Sequence, residues 1–244
     1  FCLSRGLGDV YKRQRMNNID YYPYMEPWHD PGWHTEMGPH WTSPLGLEDR
    51  FVVTGLVENP LNLTYRELLS FPLWSETATL ICDPVHQHLF ITCDWIGVSL
   101  SYLLNLAKVS ENATEVVFYG DDHFYSSLDI ETAMNPHVLL ALKVNGTLLS
   151  EPLTVKIRED WSYQPLSWLQ RFHSGFRLVV PCRYGYKWVK NIVRIQVVDY
   201  DSKGFGLEGP GVPGEGNFDQ YNEGKIPNCT LPLRTRVPNG DFDM

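Results

Sequence analysis

The sequence has no run of eighteen apolar residues, so no stretch of it reads as a membrane-spanning helix. It is short of cations: 20 Lys and Arg stand against 29 Asp and Glu, a formal net charge of -9. That balance excludes non-specific nucleic-acid binding, which needs Lys and Arg to neutralise phosphates. Five cysteines in 244 residues are too few for a disulfide scaffold. A glycine-rich strand-to-helix phosphate loop and strict βαβ alternation are both missing, which excludes a doubly wound nucleotide fold. No internal repeat is visible. What the chain does have is 43% hydrophobic and 13% aromatic residues, too many for disorder and enough for one large domain or two small ones with a real core.

The first residue is Phe1, and Asp9-Val-Tyr-Lys-Arg-Gln14 reads back into DNA as the mosaic end of a transposase sequencing adapter. Residues 1–14 are therefore set apart from the fold as a translated artefact. Residues 15–244 then carry 17 basic and 28 acidic side chains, net -11, and the cysteines become Cys82, Cys93, Cys182 and Cys229.

Residues 15–50, rich in Trp, Tyr, His, Pro and Met without a period, read as an irregular segment wrapped on the domain. From Phe51 the pattern sharpens. Strands are expected at 51–57, 77–82, 115–119, 138–144, 147–149, 176–181 and 192–198. Thr64 with Glu67 forms a capping box opening a short helix. Leu100, Leu103, Leu104 and Ala107 share one face of a second helix, and 130–134 is a helical turn. Asn145-Gly146 is a hairpin turn. After Gly204 the chain reads as loop, with 8 Gly and 5 Pro up to Gly240. Many short strands with few short helices give an α+β class built on mixed β-sheets.

Several side chains suit chemistry. Cys82 ends a strand; it is either a soft thiolate ligand for a metal or a buried structural cysteine. Together with His86, His88 and Cys93 it also admits a zinc reading, although the ligands are crowded for that metal. His86 and His88 otherwise line a site mouth or lie on the surface, and Cys93 and Cys182 read as packed thiols. Arg177, Arg183, Lys187, Lys190 and Arg194 fall within eighteen residues of an otherwise acidic chain. This strip is either an anion site or a solvated basic face; the interleaved Tyr184, Gly185, Tyr186 and Trp188 favour the former. In the stretch Trp28 to Trp41, His29, His34 and His40 each adjoin a tryptophan, as an aromatic lid or as a metal or haem contact. Sequons at Asn62, Asn112, Asn145 and Asn228 permit an extracytoplasmic location.

Three stretches together carry a family resemblance: Phe51-Val-Val-Thr-Gly-Leu-Val-Glu-Asn-Pro-Leu61 with Leu68-Leu69; Thr79-Leu-Ile-Cys82 with Trp95-Ile-Gly-Val-Ser-Leu100; and Arg177-Leu-Val-Val-Pro-Cys-Arg-Tyr-Gly-Tyr-Lys-Trp-Val-Lys190. In this order they resemble the oxidoreductase molybdopterin-binding domain of the sulfite oxidase family, over roughly 50–150 and 173–205. The resemblance implies that fold for residues 51–205, with an aromatic insertion at 151–172 and a Gly/Pro-rich tail at 206–244. It implies a molybdopterin cofactor whose molybdenum is held by Cys82. Arg177 and Lys190 would contact the cofactor, with Arg183, Tyr184 and Lys187 beside them and backbone donors at Trp188 and Val189. His173 stands one residue out of register with the family's histidine; Asn17 or Asn18 is the weak match to a pterin-holding asparagine. Tyr119 and Asp121 would face the site. The implied activity is oxygen-atom transfer on a small substrate, sulfoxide-reductase-like or sulfite-oxidase-like, with electrons exchanged through a haem-type partner.

Departures matter. The family's sulfite-oxidising members carry basic residues after the metal cysteine, whereas Asp83 follows Cys82 here and counts against sulfite. About forty residues follow Gly204, too few for an immunoglobulin-like second domain, so the architecture resembles the single-domain members. A binding module that kept the fold without catalysis is the competing reading.

Overall fold

A computed structural model describes residues 45–81, 90–121, 124–150, 176–202 and 224–238. In order, these form β1 (Arg50–Gly55), β2 (Leu61–Thr64), α1 (Tyr65–Leu68), β3 (Leu73–Ile81), β4 (Phe90–Ser99), α2 (Leu100–Ala107), β5 (Glu115–Gly120), β6 (Tyr125–Asp129), α3 (Ile130–Ala133), β7 (Leu139–Val144), β8 (Thr147–Leu148), β9 (Arg177–Val179), a 3₁₀ turn (Gly185–Lys187), β10 (Ile192–Val198) and β11 (Arg234–Val237). The α+β class with mixed sheets and short helices holds.

Alternation builds two sheets. The first runs β2-β1-β10-β5-β6, with β1 parallel to β10 and the other pairs antiparallel. Its register aligns Val53, Ile195 and Phe118 in one row and Val197, Val116 and Leu128 in the next. All six are buried, because side chains two apart share a face. The second sheet runs β11-β3-β4-β7-β8, and β9 also pairs directly with β7, at Leu139 to Ala141. Its register pairs Ala78 with Cys93, and both are buried.

Local chemistry sets the ends. Thr64 and Glu67 form the expected capping box. The apolar face of α2 is buried as its spacing predicts, and Lys108 stops the helix in the left-handed region at φ 54°. Asn145 (φ 47°) and Gly146 (φ 81°) make the hairpin between β7 and β8. Both central residues have positive φ, the geometry that favours Asn-Gly. Tyr65 lies at the centre, stacked on Phe176 at 3.7 Å and donating to the Ile192 carbonyl at 2.6 Å.

Two expectations are corrected. Cys182 is not a packed thiol: it is bonded to Cys229, with Cα atoms 5.4 Å apart. Cys93 is the buried free thiol. The stretch after Gly204 is not wholly loop, because β11 pairs antiparallel with β3. A basic, proline-flanked strand of four residues lacks the apolar run that signals a strand, and its pairing partner lies some 160 residues away in sequence. Among the described residues, no helix is long and apolar enough to cross a membrane.

Candidate active site: the junction of the two sheets

The chain leaves β9, turns, and returns through Trp188 to Lys190 before entering β10. This loop joins the sheets, since β9 belongs to the second and β10 to the first. It is closed on itself: Leu178 N donates to Val189 O at 2.8 Å, and Arg177 and Lys190 face each other in an antiparallel bridge. The two residues expected to hold the cofactor are thus opposite one another. The Trp188 indole donates to Arg183 O at 3.1 Å and lies edge-on to Trp95.

Three cations here are nine-tenths buried or more: Arg177, Arg183 and Lys187. Burial, opposed by the neighbouring Cys93, pulls Arg177 down to about 10. The same burial, partly countered by Asn145 and Arg177, pushes the Cys93 thiol up. Lys187 donates to the Ser127 carbonyl of β6 at 2.9 Å. Arg183 reaches α3, donating to Thr132 Oγ1 at 2.6 Å with Asp129 Oδ2 at 3.5 Å. Asp129 caps that helix through Thr132 N at 2.7 Å. Burial raises the Asp129 carboxyl, but the Thr132 hydrogen bonds and the charges of Arg183 and Lys187 outweigh it and hold the group low.

Buried cations are costly unless an anion or strong acceptors face them. Arg183 and Lys187 meet such acceptors in Thr132, Asp129 and Ser127, and a pterin phosphate would be a further anion that this set suits: Arg offers a fork, Lys a point charge. The donor chemistry therefore fits the cofactor that the sequence implies.

A second strand end meets the same loop. Ile81, the last residue of β3, packs on Tyr184 and Tyr186 together with Ile226. Cys82 is the next residue in sequence. Cys82 itself, Asp83, His86, His88, His173, the insertion 151–172, Asn17, Asn18 and the His/Trp stretch 28–41 all lie outside the described residues. The zinc reading falls mostly there too; among the described residues no three His, Cys, Asp or Glu gather to hold a metal.

Tyr119 and Asp121 stand at the end of β5. Asp121 N donates to Asn191 O at 2.9 Å, tying that end to the foot of the loop. Tyr119 points away from the Phe118 face. Its hydroxyl donates to Gln196 at 3.2 Å, its ring stacks on Tyr125, and Arg194 lies over it at 5.5 Å. Burial raises its phenol to about 12. Arg194 thus joins this aromatic group, and the other four members of the basic strip form the loop.

The part of the site that sequence reasoning missed is the segment at 224–229. Gly224 O accepts from Tyr184 N at 2.9 Å, and Ile226 N donates to Cys182 O at 3.0 Å. An even cysteine count was the available signal, but a separation of 47 residues has no local signature.

The described residues thus form two sheets with a buried cationic loop at their junction. The model of the oxidoreductase molybdopterin-binding domain matches residues 44–154, and the chain is similar there to proteins of the sulfite oxidase family. Among known proteins it is 29% identical over 167 residues to the protein-methionine-sulfoxide reductase catalytic subunit MsrP of Gluconobacter oxydans, covering 61% of this chain and 46% of that one. It is 26% identical over 161 residues to MsrP of Campylobacter jejuni, 59% of this chain and 47% of the relative. The solved sulfane dehydrogenase SoxCD of Paracoccus pantotrophus is similar with a TM-score of 0.51 and 27% identity, over 65% of this chain and 40% of that chain. The chain thus spans less than half the length of each of these relatives.

Proposed function

We propose that the chain is the catalytic domain of a molybdenum-cofactor oxidoreductase that moves an oxygen atom to or from a small substrate. The observation that carries this is the packing of Ile81 on Tyr184 and Tyr186. It brings the strand end that leads into Cys82 against the buried cationic loop, so one cofactor can meet both a thiolate and its phosphate donors. When bound, the molybdenum–pterin group supplies the two-electron oxygen-transfer chemistry. The chain fixes and shapes. Cys82 ligates the metal through its thiolate. Arg177 and Lys190, with Arg183, Lys187, Tyr184, His173 and the backbone donors of Trp188 and Val189, hold the pterin. Tyr119 and Asp121 are the proposed groups on the substrate side; at about 12 the Tyr119 phenol stays a donor at every working pH.

Two methionine-sulfoxide reductase relatives and the carboxylate of Asp83 both favour a sulfoxide over sulfite as substrate. A haem-type protein is the proposed electron partner. The Cys182–Cys229 disulfide favours an extracytoplasmic compartment, where such bonds persist. The test is metal analysis of protein made with cofactor supply. We expect about one molybdenum per chain in the parent and loss of the metal, with pterin partly retained, in Cys82→Ala. A parent protein without molybdenum would overturn the enzymatic reading in favour of a non-catalytic pterin- or partner-binding module.

A further inference from the structure

Segment 224–237 touches both halves of the site. At one end the Cys229–Cys182 bond anchors it beside Arg183. Gly224 and Ile226 make backbone bonds to Tyr184 and Cys182, and Lys225 bridges to Arg183. Gly224 sits at φ 71° against Tyr186, where an added Cβ would lie 2.7 Å from the phenol oxygen. Ile226 completes the patch under Tyr184, Tyr186 and Ile81. At the other end, β11 pairs with β3, the strand that delivers Ile81. Between these ends, residues 227–233 are exposed or half-exposed and form no regular structure. The disulfide is the covalent hold on a segment that also meets the loop through the two backbone hydrogen bonds of the Arg183–Lys225 bridge and the packing of Ile226 and Gly224. Cys229 is exposed, within reach of an attacking thiolate, while Cys182 is partly covered.

We propose that segment 224–237 is a disulfide-locked clasp that keeps the cofactor-binding loop 182–190 closed, and that a dithiol reductant opens it. The proposal rests on the reading of that loop as cofactor-binding. A thiolate of the reductant attacks Sγ of Cys229, the Cys182–Cys229 bond breaks, and Cys182 leaves as a thiol. The second thiol of the reductant then displaces Cys229. Two electrons and two protons pass to the protein, and the reductant ends as a disulfide. Freed of its anchor, the segment no longer holds the backbones of Cys182 and Tyr184, and the 3₁₀ turn carrying Lys187 loosens.

Hydrogen exchange on the full chain tests this, with the oxidised protein compared against dithiothreitol-treated protein and the double variant Cys182→Ser/Cys229→Ser. Loss of pterin fluorescence from the loaded protein is followed in parallel. Opening predicts at least tenfold faster exchange at the amides of Tyr184, Lys187 and Trp188, unchanged exchange at Phe118 and Ile195, and faster pterin release. Unchanged exchange in the loop would overturn the proposal. So would a uniform rise that includes Phe118 and Ile195, which marks a staple of the whole fold rather than a local clasp. Gly224→Ala supplies a second route: it leaves both cysteines in place but drives a methyl into Tyr186 and strains a left-handed position, and it should loosen the same amides with the disulfide intact. Because exchange is read on cofactor-free protein too, failure of the chain to bind pterin at all would count against the proposed function and leave the clasp decided on its own.

Discussion

Arg177 is 2% exposed and holds a guanidinium in a place where burial works against its charge. If the pterin phosphate is its partner, Arg177→Gln removes a charge-assisted hydrogen bond. Such bonds are worth roughly 1.5–3 kcal/mol, or about a ten- to hundredfold loss of pterin affinity. Isothermal titration of cofactor-free protein would measure it, and an unchanged affinity would remove Arg177 from the site. Two carboxylates make a pH prediction of opposite signs. Burial, opposed by His137 and Arg234, raises Glu76 above its ordinary 4.5. Its contribution to stability is full below pH 4.5 and is lost as pH rises through the folded value. Asp129 is held below 3.8, so its contribution is present above pH 3.8 and is lost as pH falls through the folded value. Urea unfolding from about pH 3 to pH 7 should show Asp129→Asn flattening the acid side and Glu76→Gln flattening the side above it. At this scale the sequence was generous where residue type alone decides: a basic strip in an acidic chain marked the loop. It misled at Cys182, read as a packed thiol, because the partner Cys229 is fixed only by the fold.

The elements best foreseen are those whose signals are local. Helix α2 is the clearest: Leu100, Leu103, Leu104 and Ala107 recur at helical spacing, and all four are fully buried. Leu104→Ala should therefore cost about 2–5 kcal/mol of stability, a core truncation with its cavity, read as a shift in urea midpoint at constant slope. A smaller loss would mean that the site collapses around the cavity. The capping box at Thr64 and the Asn145-Gly146 turn were legible for the same reason: each is complete within four residues. Strand β4 was not expected as a strand. Its ten residues mix exposed Phe90 and Asp94 with buried Cys93 and Trp95, and its register shifts between Ile96 and Gly97, which breaks the period-2 pattern. Strand β11 was missed because its pairing with β3, rather than its own composition, makes it a strand.

The assembly of elements into two sheets could not be read from periodicity. β1 and β10 pair in parallel across about 140 residues of chain, and no local feature of either announces the other. The family resemblance supplied that architecture, through motifs that now lie at the sheet junction and along the strands leading to it. The one property of the whole molecule that composition does fix is charge. Residues 15–244 carry net -11, and among the described residues three cations of the loop are buried. For the proposed electron partner, long-range attraction would then favour a basic docking face, and charge of this kind acts mainly on the association rate. The Debye length falls from about 30 Å at 0.01 M salt to about 8 Å at 0.15 M, so that attraction is screened across this range. With a basic haem protein as acceptor or donor, the second-order rate of electron exchange should fall about tenfold or more over the same range, while kcat at saturating partner changes little. Stopped-flow measurement of haem oxidation state against ionic strength would show it. A flat salt profile would mean that an uncharged patch, rather than the acidic surface, selects the partner.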